Sequence, residues 1–288
     1  MNGKRIGITI AKIGGGALLL LAVVLGIRRF CIESLRISTN AMEQAILSGD
    51  YVLVNKLPTE ANPGRNRVIL FKSPLRRDSV AAPLFVSRLI GMPGDTVTVE
   101  ENLFLINGKQ LPKAPTTMAT YFVSKELEGI IRSLANKLAI PLREWKSETF
   151  GFTFTITALE EYKLREELPD GANKHFVQEP AEEYSIIVPK KGIAYRINET
   201  SLKACREILL HETNGKAVFR DNKLFLDGRE TNFFYFKHDY YWVLSDHAKY
   251  AVDSRHLGFI PDNLILGNVW FCWKSNDPER MLDRKSVV

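Results

Sequence analysis

Groups able to act as nucleophile or base are thinly spread along this chain. The hydroxyls of interest are Ser38 and Thr39 in ISTNAM, Ser87 in VSRLIGMPGD, and Ser254 in VDSRHLG. A serine or threonine activated by a neighbouring base performs acyl transfer. Five histidines (His175, His211, His238, His247, His256) are the other candidates, and His247 titrates in the right range for a base, yet no nucleophile stands beside it in sequence. None of the histidines shows metal-ligand spacing. Cys31, Cys205 and Cys272 lie far apart and outside any CxxC, so neither a zinc site nor a disulfide framework is expected, and no cofactor is implied.

The elements that must position such groups belong to an ordinary folded chain. With 288 residues, 45% hydrophobic and 25% charged, the chain is long enough for one large domain or two small ones, which excludes disorder and a mini-protein scaffold. The net charge of +6 arises from 39 basic and 33 acidic residues intermixed, with no basic block to track a nucleic acid. A membrane or a peptide partner fits as well. From Ile6 to Ile27 the chain is apolar apart from Lys12, and it is flanked by Lys4, Arg5, Arg28 and Arg29. At 1.5 Å per residue this run spans about 33 Å, enough for a membrane helix if Lys12 snorkels to one face. Arg28, Arg29 and Phe30 follow it instead of the small residues of a cleavage site, so a retained anchor over 1–30 is expected. The flanking charges leave its orientation open.

After the anchor the pattern becomes that of strands. Tyr51 to Asn55, Arg67 to Lys72, Leu84 to Ile90 and Thr96 to Leu105 are rich in β-branched and aromatic residues and bounded by Gly, Pro or Asn, as are Tyr235 to Leu244 and Leu264 to Trp273. ENLFLINGKQLP (101–112) and DNKLFLDGRETN (221–232) echo each other, each with a strand followed by Asn107-Gly108 or Asp227-Gly228, dipeptides suited to a type I′ hairpin. Between them, Lys125 to Leu138 and Thr200 to His211 have helical apolar spacing. Phe152, Phe154 and Ile156 alternate with threonines as in a half-buried strand, and Tyr184 to Val188 predicts another. The expected organisation is a discontinuous β domain over 31–112 and 217–275, an inserted α+β subdomain over 113–216, and a charged tail over 276–288.

Three segments resemble, in order, the conserved boxes of the bacterial type I signal peptidases. ISTNAMEQAILSGDYVLVNK (37–56) matches the first at Met42, Gly49, Asp50 and Lys56. SRLIGMPGDTV (87–97) matches the second at Arg88, Gly91, Pro93, Gly94 and Asp95. DYYWVLSDHAKYAVDSRHLGFIP (239–261) matches the third at Asp246, Asp253, Ser254, Arg255, Gly258 and Pro261. The resemblance covers about half the chain. It implies a mostly β signal peptidase-like fold with one N-terminal transmembrane helix, anchored by a single pass in a bacterial cytoplasmic membrane, with the main domain on the outer side. It also implies a serine endopeptidase that removes the signal peptides of exported preproteins after small residues. In that family a serine is the nucleophile, and a lysine, held neutral by apolar burial, is the general base.

This sequence departs from the pattern at the reacting groups. The nucleophile position, just before Met42, is Ala41; the base position, just before Arg88, is Ser87; and the serine that supports the base is replaced by Ala251. A methyl group cannot attack a carbonyl, and a hydroxyl is a very poor proton acceptor at neutral pH. The family's Gly-Asp-Asn-Arg is here Ser245, Asp246, His247 and Ala248, and the Gly-Asp before the second strand is Asn66 and Arg67. In a comparable serine peptidase, loss of one member of the unit costs on the order of 10⁴ to 10⁶ in turnover and further losses add little. Coordinated loss therefore points to a naturally inactive relative.

What survives is expected to bind. Thr39 matches a position that assists the oxyanion hole, although it is equally suited to satisfying a local turn, and the Ala41 N–H remains available. Thr39, Ala41 and Met42 are thus the expected peptide-binding residues, with Arg88, Asp253, Ser254 and Arg255 shaping the site through a buried ion pair and a turn. The leading expectation is a pseudoenzyme that binds signal peptides, or partners an intact signal peptidase or a secretion component, without cutting. Two alternatives stand beside it. One is an active endopeptidase using Ser38, Thr39, Ser87 or Ser254 with a displaced base. The other is a membrane-tethered assembly factor that contacts its partner through the inserted region.

Overall fold

The computed structural model describes residues 13–26, 31–57, 64–75 and 82–278. It is mostly β. Seven antiparallel strands form the main sheet, in the order Ile32–Arg36, Tyr51–Asn55, Ile265–Lys274, Val68–Lys72, Leu84–Gly91, Tyr240–Leu244 and Ile260–Pro261. Each central strand alternates its side chains between two apolar layers, as the pleat requires. Val52, Val54, Val68, Leu70 and Val86 face Met42 and Ile46, while Ile69, Phe71, Leu89, Tyr241 and Val243 face Leu257 and Ile260. The first two boxes and the third are thereby brought to neighbouring strands.

Smaller sheets extend from this one. Tyr184–Ile187, Thr96–Glu100, Leu103–Ile106 and Lys109–Leu111 form one; Phe176–Gln178, Met118–Ser124, Gly151–Thr157 and Arg143–Ser147 form another. Helices Glu128–Lys137 and Ala158–Glu167 accompany the second, and its core is built from Val123, Ile131, Phe152, Phe154, Leu164 and Phe176. Helix Glu199–Glu212 packs Leu202, Cys205, Ile208 and Leu209 into the largest core, against Trp242 and Phe259.

Several expectations change. Thr96 to Leu105 is not one strand but two, because Glu101 and Asn102 both take positive φ (47° and 63°) and turn the chain. Asp221 and Asn222 do the same (47° and 58°), so the echo extends over two three-stranded meanders rather than two single hairpins. Asn107-Gly108 and Asp227-Gly228 also have positive φ, as a type I′ turn demands. Tyr235 to Leu244 divides into Phe233–Tyr235 and Tyr240–Leu244. The Gly151–Thr157 strand is buried on both faces rather than one. It lies between two partners, and its threonines find hydroxyl and carboxylate partners, Thr155 with Thr120 and Glu144. Helix Ala158–Glu167 is visible in sequence only through its capping box, Thr157 with Glu160, because its apolar stripe is weak.

At the amino terminus a helix covers 13–26, and its apolar residues, Leu18 to Leu21 among them, are exposed. At 1.5 Å per residue it is about 21 Å long. Among the described residues no helix is long and apolar enough to cross a membrane, so the expected span Ile6 to Ile27 is described only in part. Lys12, Arg28 and Arg29, and the tail beyond residue 278, lie outside the described residues.

Candidate functional site

The three boxes converge on one loop. After the Ile32–Arg36 strand the chain continues without regular structure through Ser38 and Thr39, both exposed, and then tightens into a turn over 41–45. There the Ala45 and Ile46 N–H groups donate to the Met42 carbonyl. Ala41 is buried at 7% exposure, and its carbonyl accepts from the His247 N–H at 2.9 Å. Met42 is also buried, and its Sδ accepts from the Asp246 N–H at 3.3 Å. Ser87 sits in the middle of the Leu84–Gly91 strand at 0% exposure, its Oγ 2.9 Å from Ser245 Oγ. Ala251, likewise 7% exposed, closes the short turn that follows, its N–H donating to Ala248. The start of the 245–251 segment therefore touches position 87 through Ser245 and position 41 through the His247 N–H.

The hydroxyl pair accounts for two departures at once. Position 245, glycine in the resembled family, carries a hydroxymethyl here, and its hydrogen bond satisfies the buried hydroxyl that stands in place of an amine. Neither group is a base at neutral pH. The pair fills space and meets its own polarity, as buried hydroxyls must.

Around this centre lies a shell of ion pairs. Arg88 Nε and Nη2 grip the two oxygens of Asp246 at 2.9 and 2.8 Å, with both side chains buried, and Arg88 Nη1 donates to the Asn66 carbonyl at 2.6 Å. Asn66, standing where the family has glycine, adopts φ of 71°, a conformation that asparagine tolerates better than most residues. Asp253 is fully buried. It accepts from the Ser245 N–H and from Nε and Nη2 of Arg255. Burial disfavours the Arg255 cation, but the Asp253 carboxylate outweighs it and holds the guanidinium above its ordinary value. Ser254 Oγ accepts from the Val243 N–H at 2.9 Å and is thus occupied with backbone. Gly258 has φ of 73°, and a Cβ there would come within 2.3 Å of the Ala204 carbonyl, so only glycine lets this segment pack on the Glu199–Glu212 helix. The Pro-Gly-Asp of the second box is a turn of similar kind: Asp95 accepts from the Met92 N–H and pairs with Arg65 at 2.8 Å.

Two features lay beyond the reach of sequence. His247 is buried. Its Nδ1 lies 3.1 Å from Glu43 Oε2, the Tyr250 ring stands edge-on at 4.6 Å, and its Nε2 has no partner among the described residues. Glu43 lies 204 positions away, and only its place two residues after Ala41 could have drawn attention. The second feature is an edge. Leu84 to Ser87 pair with the Val68–Lys72 strand on one side, whereas Tyr240–Leu244 joins the other side only from Arg88 onward. Among the described residues no strand covers the second edge of 84–87. No cluster of His, Cys, Asp or Glu suited to a metal ion occurs among them either.

The sequence is similar to those of known proteins. Over 273 residues the chain is 26% identical to a signal peptidase I of Buchnera aphidicola subsp. Baizongia pistaciae, covering 88% of this chain and 73% of that protein. Over 149 residues it is 30% identical to a signal peptidase I of Pseudomonas aeruginosa, covering 43% of this chain and 51% of that one. Over 80 residues it is 38% identical to a signal peptidase I of Aquifex aeolicus, covering 27% and 30% respectively. The chain thus spans about half the length of the Pseudomonas relatives it matches. Residues 10–154 and 188–274 match the family described as signal peptidase, peptidase S26, and with most of its length so matched the chain belongs to the type I signal peptidases of that family.

Proposed function

We propose that this protein binds the signal peptides of exported preproteins without cutting them. It does so from a bacterial cytoplasmic membrane, anchored by a single helix that includes 13–26, with its β domain (31–112 and 217–275) on the outer side. The observations that carry the reading are the buried Ser87–Ser245 hydroxyl pair at the position of the base and the methyl group of Ala41 at the position of the nucleophile. The nucleophile position thus carries no hydroxyl and the base position no amine. The uncovered edge of 84–87 supports strand addition by an extended peptide, a mode in which backbone hydrogen bonds give affinity and small pockets select side chains. Thr39, the Ala41 N–H and Met42 border that peptide, while Arg88, Asp253, Ser254 and Arg255 keep the shape. The exposed apolar helix supports the anchor. An intact signal peptidase or a secretion component is the natural recipient of a peptide held in this way, and the inserted region (113–216) supplies a surface for it.

The test is incubation of the purified full chain with a preprotein carrying a small-residue cleavage site and a photo-cross-linker in its leader. Cross-linking near Thr39 and Ala41 without products is expected. Cleavage abolished by one hydroxyl substitution defeats the reading.

One observation favours a second reading, an active endopeptidase with a substituted base. Glu43 orients His247, whose Nε2 is unpartnered. Cleavage lost in His247→Gln but kept in Ser87→Ala would establish it.

A further inference from the structure

A cavity of about 610 Å³ opens on the Arg88 side of the main sheet, between the end of that sheet and the strands that leave it. Ser87 and Arg88 point to opposite faces of their strand, and neither Ala41 nor Ser87 lines this space, although Ser245 and Asp246 reach its end. The wall is apolar, built from Ile90, Val99, Phe104, Leu111, Met118 and Leu244. A second hollow of about 480 Å³ adjoins it and shares Asn102, Phe104, Leu111, Lys113 and Gln178.

Lys113 stands where the two meet. Its Nζ donates to Gln178 Oε1 at 2.8 Å, a neutral amide, and forms no ion pair among the described residues. The acid nearest in effect, Glu161, is already engaged by Arg165 Nε. Burial holds the Lys113 ammonium below its ordinary value, with Glu161 working against that shift and Arg165 adding to it. Lys203 adds positive charge at the same cavity, while Glu179 and Glu182 also line it, and Asp246 is neutralised by Arg88.

A largely apolar trough that holds a half-buried ammonium without an ion pair, where the two hollows share their lining, is complementary to one kind of ligand. We infer that the cavity binds an amphipathic monocarboxylate, an apolar chain ending in a carboxylate, whose oxygens take Lys113 Nζ from Gln178 while the chain lies along Phe104, Leu111 and Met118. A peptide carboxy terminus and a short fatty acid both present this chemistry. Neither Ala41 nor Ser87 lines this site, and the inference does not depend on the function proposed for those positions.

The test is equilibrium dialysis of the full chain in non-ionic detergent, with detergent-only controls. The probes are an acetylated Ala-Leu-Val-Leu peptide as free acid and as amide, and hexanoate against hexanamide. At least one acid is expected to bind ten-fold or more tightly than its amide. Preference for the peptide acid alone identifies a chain terminus as the source, and preference for hexanoate alone identifies a fatty acid. Lys113→Met should abolish the preference and Lys113→Arg should retain it. Gln178→Leu, which removes the competing acceptor, should tighten acid binding severalfold and keeps the test open should Lys113→Met fail to fold. Equal binding of acids and amides by the parent chain, no binding of any probe, or an unchanged preference in folded Lys113→Met overturns the inference.

Discussion

The reacting centre and the shell around it have fared differently. At the centre, positions 41, 87 and 251 carry two methyl groups and a hydroxymethyl, while the shell keeps Arg88 on Asp246 and Arg255 on Asp253 with hydrogen-bonding geometry intact. The difference reflects what each part contributes. A nucleophile and its base stabilise a transition state and are dispensable to the fold, whereas a buried ion pair stripped of one member leaves an uncompensated charge and costs about 3–5 kcal/mol. Substitution at the centre is therefore compatible with a shell that keeps its shape.

The sharpest way to break this comparison is to rebuild the centre. Ala41→Ser, Ser87→Lys, Ala251→Ser and Ser245→Gly together should raise preprotein cleavage on the order of 10⁴-fold or more over the parent, read by gel. The same variant without Ser245→Gly should fall well short, because the Ser245 side chain occupies space beside position 87. No gain with all four would show that more than the reactive groups has been lost.

The shell should respond in stability instead. Asp246→Ala should lower unfolding free energy by about 3–5 kcal/mol in urea titration, because Arg88 is left buried and unpaired, and the double replacement Arg88→Met with Asp246→Leu should recover most of it. At the centre the corresponding change is smaller. Ser87→Ala strands the Ser245 hydroxyl and should cost about 1–3 kcal/mol, while Ser87→Ala with Ser245→Ala should be nearly neutral.

The inserted region offers a third, milder contrast. Burial works to raise Glu160, but the Arg143 guanidinium and the Thr157 N–H outweigh it and hold the carboxyl below the usual range. A depressed folded value stabilises the native state above the ordinary carboxylate pKa, and that stability is lost as pH falls through the ordinary value toward the depressed one. Glu160→Gln should flatten the acid side of the stability profile measured by urea midpoints. Thr157→Ala, which removes the reciprocal cap, should cost about 1 kcal/mol at neutral pH.

Much of this was legible in the sequence wherever the signal was local. The Lys125 to Leu138 and Thr200 to His211 periodicities correspond to helices Glu128–Lys137 and Glu199–Glu212, because an apolar stripe at helical spacing has few alternatives once packed. The two Asn-Gly and Asp-Gly turns followed from backbone preference. Turns at Glu101-Asn102 and Asp221-Asn222 were hidden, since neither dipeptide contains glycine and each is continuous with the strand residues around it. The threonines of Gly151–Thr157 suggested a wet face, and tertiary partners made it dry.

The sequence by itself determined that this chain has no serine at position 41 and no lysine at position 87, because side-chain identity is covalent and no fold can supply a missing amine. Only the tertiary structure decided what became of the space. Ser87 meets Ser245 across 158 positions, Glu43 meets His247 across 204, and Lys113 comes to rest on the neutral Gln178 amide. Such contacts depend on which strands pair and which faces close, and those choices are made by the whole core together, not by any local run of residues.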